Sequence, residues 1–341
     1  MRVVCGEILG WSGICSIVFV FQYSSRSMHY KLLGRSTLRV SVAGFGCMSL
    51  GEGGPDTERL IHRAIEGGIN LFDTADLYNK GLNEACIGRI LQGKRDQVIL
   101  ATKVGNQWRA DGSGWEWNPR KDYIVRALED SLQRLRTDRI DLYQLHGGTI
   151  GDPIDETIGA FELLQRQGKI RYYGLSSIRP DVIREYIRRS GMVSVMMQYS
   201  LADRRPEESC LKELKAAGIG VLARGAVAKG LLAGKKAEGY LGHSAAEMAV
   251  AAERVREAAE ARNGRGAVSG KGLERAVAER PARIAIRWVM DQEAVTSAVV
   301  GIRTMEQLED AVAADGEERL TGSEARVLQT ALKEQRYEEH R

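Results

Sequence analysis

The sequence predicts an α/β protein, a (β/α)8 TIM barrel with an N-terminal β-hairpin cap, and three observations carry that expectation. From residue 40 onward, short β-rich apolar runs alternate with amphipathic helical stretches, the pattern of a parallel sheet covered by helices. Eight such runs are present, and eight parallel strands close a barrel. Polar residues of coherent chemistry fall just after three consecutive runs, at the strand ends where barrels of this type collect function.

Taken in order, the strands are read at residues 40–45, 69–72, 98–101, 140–144, 172–175, 193–197, 219–223 and 297–300. Helical periodicity occupies 57–66, 84–91, 121–135, 154–167, 180–189 and 207–217. Asn118-Pro119 and Asp152-Pro153 start two of these helices, since proline is tolerated in a first turn. Gly67-Gly68, Gly168 and Gly218 stop others before the next strand. Ahead of the first strand, residues 30–33 and 38–40 flank Gly34-Arg35-Ser36-Thr37, which reads as a hairpin capping the barrel's base. Between the seventh and eighth strands lies an Ala/Glu/Arg-rich stretch, 235–279, read as an insertion within one domain. Its helix, 245–262, is expected to end at the loop signal Asn263-Gly264-Arg265-Gly266. Another helix is expected to begin about Met305, and the tail 321–341 reads as helical, charged and packed on the barrel.

Residues 1–27 stand apart. Their apolar run, ending Ile14-Cys15-Ser16-Ile17-Val18-Phe19-Val20-Phe21, is shorter than the ~18 to 20 clean apolar residues that span a bilayer. It also lacks a small-residue secretory exit. The expectation is an N-terminal extension, disordered or upstream of the natural start, with the barrel domain spanning 28–341.

Composition is that of a soluble globular enzyme, 43% hydrophobic and 28% charged. A net charge of +4 over 341 residues, with both signs interspersed, gives no expectation of a nucleic-acid partner. Five scattered cysteines without a CxxC pair fit neither a disulfide framework nor a zinc site. No metal and no membrane partner are expected, and a reducing cytoplasm is the natural compartment.

The chemistry sits at the strand ends. Asp73 follows the second strand in NLFDTADLY, with Tyr78 in the next loop; Lys103 ends the third in ILATKVG; His146 ends the fourth in DLYQLHGG. A lysine ammonium beside a phenol favours the phenolate, and a carboxylate beside the lysine fixes its position. An imidazole can donate to a carbonyl oxygen or direct the phenol's proton. Together these groups can protonate a carbonyl oxygen as hydride arrives at its carbon. Singly, each has an ordinary explanation: a loop carboxylate, a packing tyrosine, a solvated lysine, a structural histidine. Only the combination points to catalysis.

At these residues the sequence resembles the aldo-keto reductase superfamily, from about Met28 to the C-terminus. The resemblance runs through GFGCMSLG, NLFDTADLYNKGLNE, ATKVG, SLQRLRTDRIDLYQLH, GKIRYYGLSS and AVVGIRTMEQLEDA, and is strongest to the bacterial general-stress-like branch. It implies a catalytic tetrad of Asp73, Tyr78, Lys103 and His146. It also implies NADP(H) bound across the barrel mouth, a small carbonyl substrate, and NADPH-dependent reduction of aldehydes or ketones.

Further positions carry over from the resemblance. Met48 lies on the cofactor side of the first loop, Ser176 and Gln198 match carboxamide-holding positions, and Ser177 stands where many relatives have asparagine. The segment Arg224, Gly225, Ala226, Val227, Ala228, Lys229 matches the stretch that wraps the pyrophosphate; its small residues let backbone N–H groups approach phosphate. Arg224 replaces the usual aromatic residue that stacks on nicotinamide, where a guanidinium can stack as a plane but repels an oxidised ring. Gly301 and Arg303 precede a helix N-terminus, a natural anion site, and Arg303 points to the 2′-phosphate of NADP. Gln307 and Asp310 match positions facing the adenosine end, and Ala311 replaces a frequent asparagine.

Two other readings compete. A cofactor-sensing regulatory subunit shares this fold and tetrad but needs a partner that the sequence does not reveal. A glycosidase needs paired carboxylates roughly 5 to 10 Å apart, and the strand ends offer chiefly Asp73. Trp108, Trp115 and Trp117, in a Gly-rich loop after the third strand, serve equally well as pocket walls or as loop anchors. The particular carbonyl substrate and the oligomeric state are not legible.

Overall fold

The computed structural model describes residues 28–268 and 280–341. The expected extension, 1–27, and part of the insertion lie outside the described residues.

The chain opens with β1 (Tyr30–Leu32), β2 (Arg39–Ser41), β3 (Ala43–Gly46), α1 (Thr57–Glu66), β4 (Leu71–Asp73), α2 (Leu82–Ile90) and β5 (Ile99–Val104). It continues with β6 (Asn106–Trp108), β7 (Trp115–Trp117), α3 (Lys121–Leu135), β8 (Ile140–Leu145), α4 (Ile154–Arg166), β9 (Ile170–Ser176) and α5 (Pro180–Arg189). Then come β10 (Ser194–Gln198), α6 (Cys210–Ala216), β11 (Gly220–Arg224), α7 (Ala245–Val268), α8 (Pro281–Asp291), β12 (Val295–Gly301), α9 (Met305–Gly316) and α10 (Gly322–Gln329). Strands β3, β4, β5, β8, β9, β10, β11 and β12 close into a parallel barrel in that order. All eight strands read from the sequence are these eight.

Alternation along each strand sorts side chains into two cores. Leu71, Ile99, Ala101, Leu142, Met196, Leu222 and Val299 share the inner cluster. Their chain neighbours Phe72, Leu100, Tyr143, Val195, Val221 and Val300 face outward into the helix layer. There Phe45 stacks on Phe72 at 5.3 Å between centroids. Phe72→Ala at such a site costs about 3–5 kcal/mol.

The base is plugged as expected. β1 pairs antiparallel with β2, Tyr30 opposite Ser41. Leu33, Leu38 and Val40 are buried in the same inner cluster as Leu71 and Leu222. Function is therefore confined to the other, C-terminal mouth.

Four expectations are corrected. α7 runs to Val268, straight through Asn263-Gly264-Arg265-Gly266. Met248, Ala251, Val255 and Ala259 bury one face of it ahead of that signal, so the helix is already packed when it reaches the turn-forming residues. The helix of the seventh βα unit is α8, which the sequence reading left unassigned, so α7 is the added element. The Gly-rich loop carrying the tryptophans is a hairpin, β6 paired with β7. The tail is helical only over α10, whereas Tyr337 is buried and its N–H donates to Glu208 at 2.9 Å, so the tail does pack on the barrel. No helix among the described residues is long and apolar enough to cross a membrane.

Candidate active site

Inward parity explains why the four expected residues meet. Asp73 continues the inward series of Leu71, Lys103 that of Ile99 and Ala101, and His146 that of Leu142 and Gln144. Asp73 pairs in register with Ala101, Ala101 with Leu142, and Lys103 with Gln144. The polar residues thus form the next layer above the apolar plug.

Tyr78 arrives from the loop after β4. Asn79, Lys80 and Gly81 take left-handed backbone angles in succession, reversing the chain just past the tyrosine. Asn and Gly tolerate that conformation. Buried Asn83 holds the turn down, its amide donating to the carbonyls of Cys47 at 3.0 Å and Gly51 at 2.6 Å while accepting from Thr74 Oγ1 at 2.6 Å. Glu84, fully buried, accepts from Thr102 Oγ1 at 2.5 Å, Ser131 Oγ at 3.2 Å and Arg134 Nε at 2.8 Å.

Lys103 Nζ donates to Asp73 Oδ1 at 2.5 Å, to the Thr74 carbonyl at 2.7 Å and to Tyr78 Oη at 3.3 Å. The ammonium has three protons, and each has an acceptor. The Tyr78 and His146 rings meet edge-on, 5.9 Å apart at 86°. Burial works against the Lys103 ammonium, but Asp73 and Tyr78 outweigh it and hold its pKa above the usual value. Burial pushes the Asp73 carboxyl up, opposed by Lys103 and by Gln144, whose Nε2 donates to Asp73 Oδ2 at 3.1 Å. Burial, then the fields of Lys103 and Arg224, push His146 down to about 3, so its imidazole is neutral at ordinary pH. Its Nδ1 is buried without a hydrogen-bond partner among the described residues.

Gln144, Asn83 and Glu84 were missed in the sequence. Gln144 had a readable signal, its inward parity between Leu142 and His146. The other two lie inside the quoted NLFDTADLYNKGLNE stretch, where a helix-start assignment gave no reason to bury them.

The remaining mouth residues sit as follows. Ser176, Gln198, Arg224 and Gly301 end β9, β10, β11 and β12. Arg224 Nη1 donates to Gln198 Oε1 at 2.8 Å, and Gln198 Nε2 donates to Tyr240 Oη at 3.0 Å. Tyr240 was another residue the sequence did not flag. Ser177 is buried and its Oγ accepts from the Arg179 N–H. Met48 is 62% exposed in the turn after β3. Beyond β11, Gly225, Ala228, Lys229 and Gly230 all have positive φ, and Val227 is half-buried. Two N–H groups are used inside this turn, Ala228 donating to the Gly225 carbonyl at 2.8 Å and Gly230 to the Val227 carbonyl at 2.9 Å, while Lys229 is exposed beside them. Arg303 is exposed, with no carboxylate partner among the described residues, just before α9. Gln307 Oε1 accepts from the Arg303 N–H at 2.8 Å. These groups fit a phosphate-bearing dinucleotide. Asp310 Oδ1 pairs with Arg280 at 2.6 Å and Arg283 at 2.9 Å.

The tryptophans divide. Trp117 Nε1 donates to Asp152 at 2.9 Å, and its ring lies so close over Gly105 and Gly147, both with positive φ, that a Cβ at Gly105 would sit 2.6 Å from it. Trp108 Nε1 donates to the Leu77 carbonyl at 3.3 Å. Both are anchors. Trp115 is half exposed.

The model of the Aldo/keto reductase family matches residues 43–332 of this chain. The chain is 45% identical over 323 residues to "Uncharacterized oxidoreductase YqkF" of Bacillus subtilis, covering 92% of this chain and all of that one. It is 35% identical over 307 residues to "Uncharacterized oxidoreductase YrpG" of the same organism, covering 84% and 91%. Among solved structures it is similar to "aldo-keto reductase AKR11C1 from Bacillus halodurans (holo form)", with 44% identity, a TM-score of 0.81, and coverage of 92% and 99%.

Proposed function

The chain belongs to the Aldo/keto reductase family, a family of oxidoreductases that work on small molecules with a nicotinamide cofactor, and on that premise we propose that it reduces aldehydes or ketones to alcohols with NADPH, Tyr78 acting as the general acid. One observation carries the reading. Lys103 reaches both Tyr78 Oη and Asp73 from within a buried layer at the barrel mouth.

The cofactor, when bound, supplies hydride. The residues do the rest. Tyr78 accepts a hydrogen bond from the Lys103 ammonium, which leaves its own proton free to pass to a carbonyl oxygen and stabilises the phenolate left behind. Asp73 and the Thr74 carbonyl keep the ammonium from swinging away. Neutral His146 donates a hydrogen bond to the same oxygen, orienting it without competing as an acid. Ser176, Ser177, Gln198 and Met48 border the nicotinamide end, and Gly225, Val227 and Lys229 the phosphates. Arg303 reads the 2′-phosphate, supported by its exposed position beside a helix N-terminus, without a carboxylate partner among the described residues. Gln307 borders the adenosine end and Asp310 sets the helix that carries it. The three described cysteines are free thiols, which accords with work in the cytoplasm.

The test is fluorescence titration of the purified protein with NADPH and NADH, followed by aldehydes in the same cuvette. Tight NADPH binding with turnover is expected. Failure to bind either nucleotide overturns the reading.

A further inference from the structure

Arg224 ends β11 in register with Gln198 on β10 and Val299 on β12, in the inward parity of Leu222 and Val299. Its guanidinium is exposed, but it is tied by Nη1 to Gln198 Oε1, and Gln198 is tied in turn to Tyr240, so the charge is tethered at the rim of the mouth. No carboxylate lies within ion-pair distance of it among the described residues. Its field reaches both His146 and Asp73, which places it within electrostatic range of the reacting centre. The reaction at that centre changes charge. Tyr78 would give a proton to the carbonyl oxygen, and a bound nicotinamide, neutral when reduced and cationic when oxidised, would supply the hydride.

We infer that Arg224 makes this protein a selective receptor for the reduced cofactor, by repelling the cationic ring of the oxidised form. The inference rests on the reading of the protein as a nicotinamide-dependent reductase. The 2′-phosphate, ribose and adenine are common to both redox forms, so only a group near the ring can separate their affinities. Two like unit charges ~8 Å apart at an effective dielectric of ~20–40 would repel by an amount equal to roughly fivefold to thirtyfold in affinity. The consequence is functional. Oxidised product leaves readily and competes poorly with the next reduced molecule, as carbonyl reduction requires. By linkage, each tenfold preference raises the potential of the bound couple by about 30 mV.

The experiment measures Kd for NADPH and for NADP+ by fluorescence and calorimetry, on the wild type, Arg224→Met and Arg224→Lys. In the methionine variant the preference for NADPH over NADP+ is expected to fall about tenfold, mainly through tighter NADP+ binding, while the lysine variant keeps most of it. An unchanged ratio in Arg224→Met, with both nucleotides still bound, overturns the inference and leaves the reductase reading intact. An equal fall in both variants also overturns it, since charge is then not the cause. A wild type that binds neither nucleotide removes the reading and the inference together.

Discussion

Lys103 and Asp73 form an ion pair at 2.5 Å with both side chains almost wholly excluded from solvent, 1% and 5% exposed. They come from adjacent parallel strands, β4 and β5, and stand one layer above an apolar plug. Such a pair is a poor source of net stability but a strong constraint on position.

Asp73→Asn is therefore expected to destabilise the fold by about 3–5 kcal/mol, because a buried ammonium loses its counter-charge. Adding Lys103→Met should recover most of that loss while carbonyl reduction stays absent. Urea unfolding of the two variants checks this; an Asp73→Asn midpoint equal to wild type would contradict the pairing.

His146 gives a pH prediction. Its pKa in the fold is about 3 against an ordinary 6.5. The unfolded chain therefore binds the extra proton first, and stability rises with pH in between. The contribution is fully present above pH 6.5 and is lost as pH falls toward 3. His146→Gln should flatten that part of the stability–pH curve, and the kcat profile should show no histidine inflection between pH 6 and 7. An imidazole resonance titrating near 6.5 in the folded protein would contradict the assignment.

Arg303→Ala should raise Kd for NADPH by about tenfold or more, the scale of one charge-assisted contact of ~1.5–3 kcal/mol, with NADH affinity nearly unchanged. Equal losses for the two nucleotides would remove the 2′-phosphate role.

Much of this was legible in the sequence. Strands such as β10 and β11 announce themselves by their unbroken apolar centres, as a buried parallel strand should. The tetrad positions followed from where those runs stop. Gln144 and Tyr240 were hidden for opposite reasons: Gln144 sits inside an apolar run where parity, not composition, reveals it, and Tyr240 meets Gln198 across 42 residues of chain. α7 misled because Asn-Gly-Arg-Gly is a local turn preference, which a helix already packed from Met248 to Ala259 overrides. The ion pairs of Asp310 with Arg280 and Arg283 were not legible because α8 was not read.

The most direct test of the account is the NADPH-dependent reduction rate of Tyr78→Phe, measured at saturating cofactor on whichever aldehyde the wild type turns over. The substitution removes one hydroxyl and leaves the Lys103–Asp73 pair in place. The account predicts a kcat lower by about 10²–10⁴-fold, with NADPH affinity within about twofold of wild type. A variant that keeps near-normal kcat would contradict Tyr78 as the proton donor.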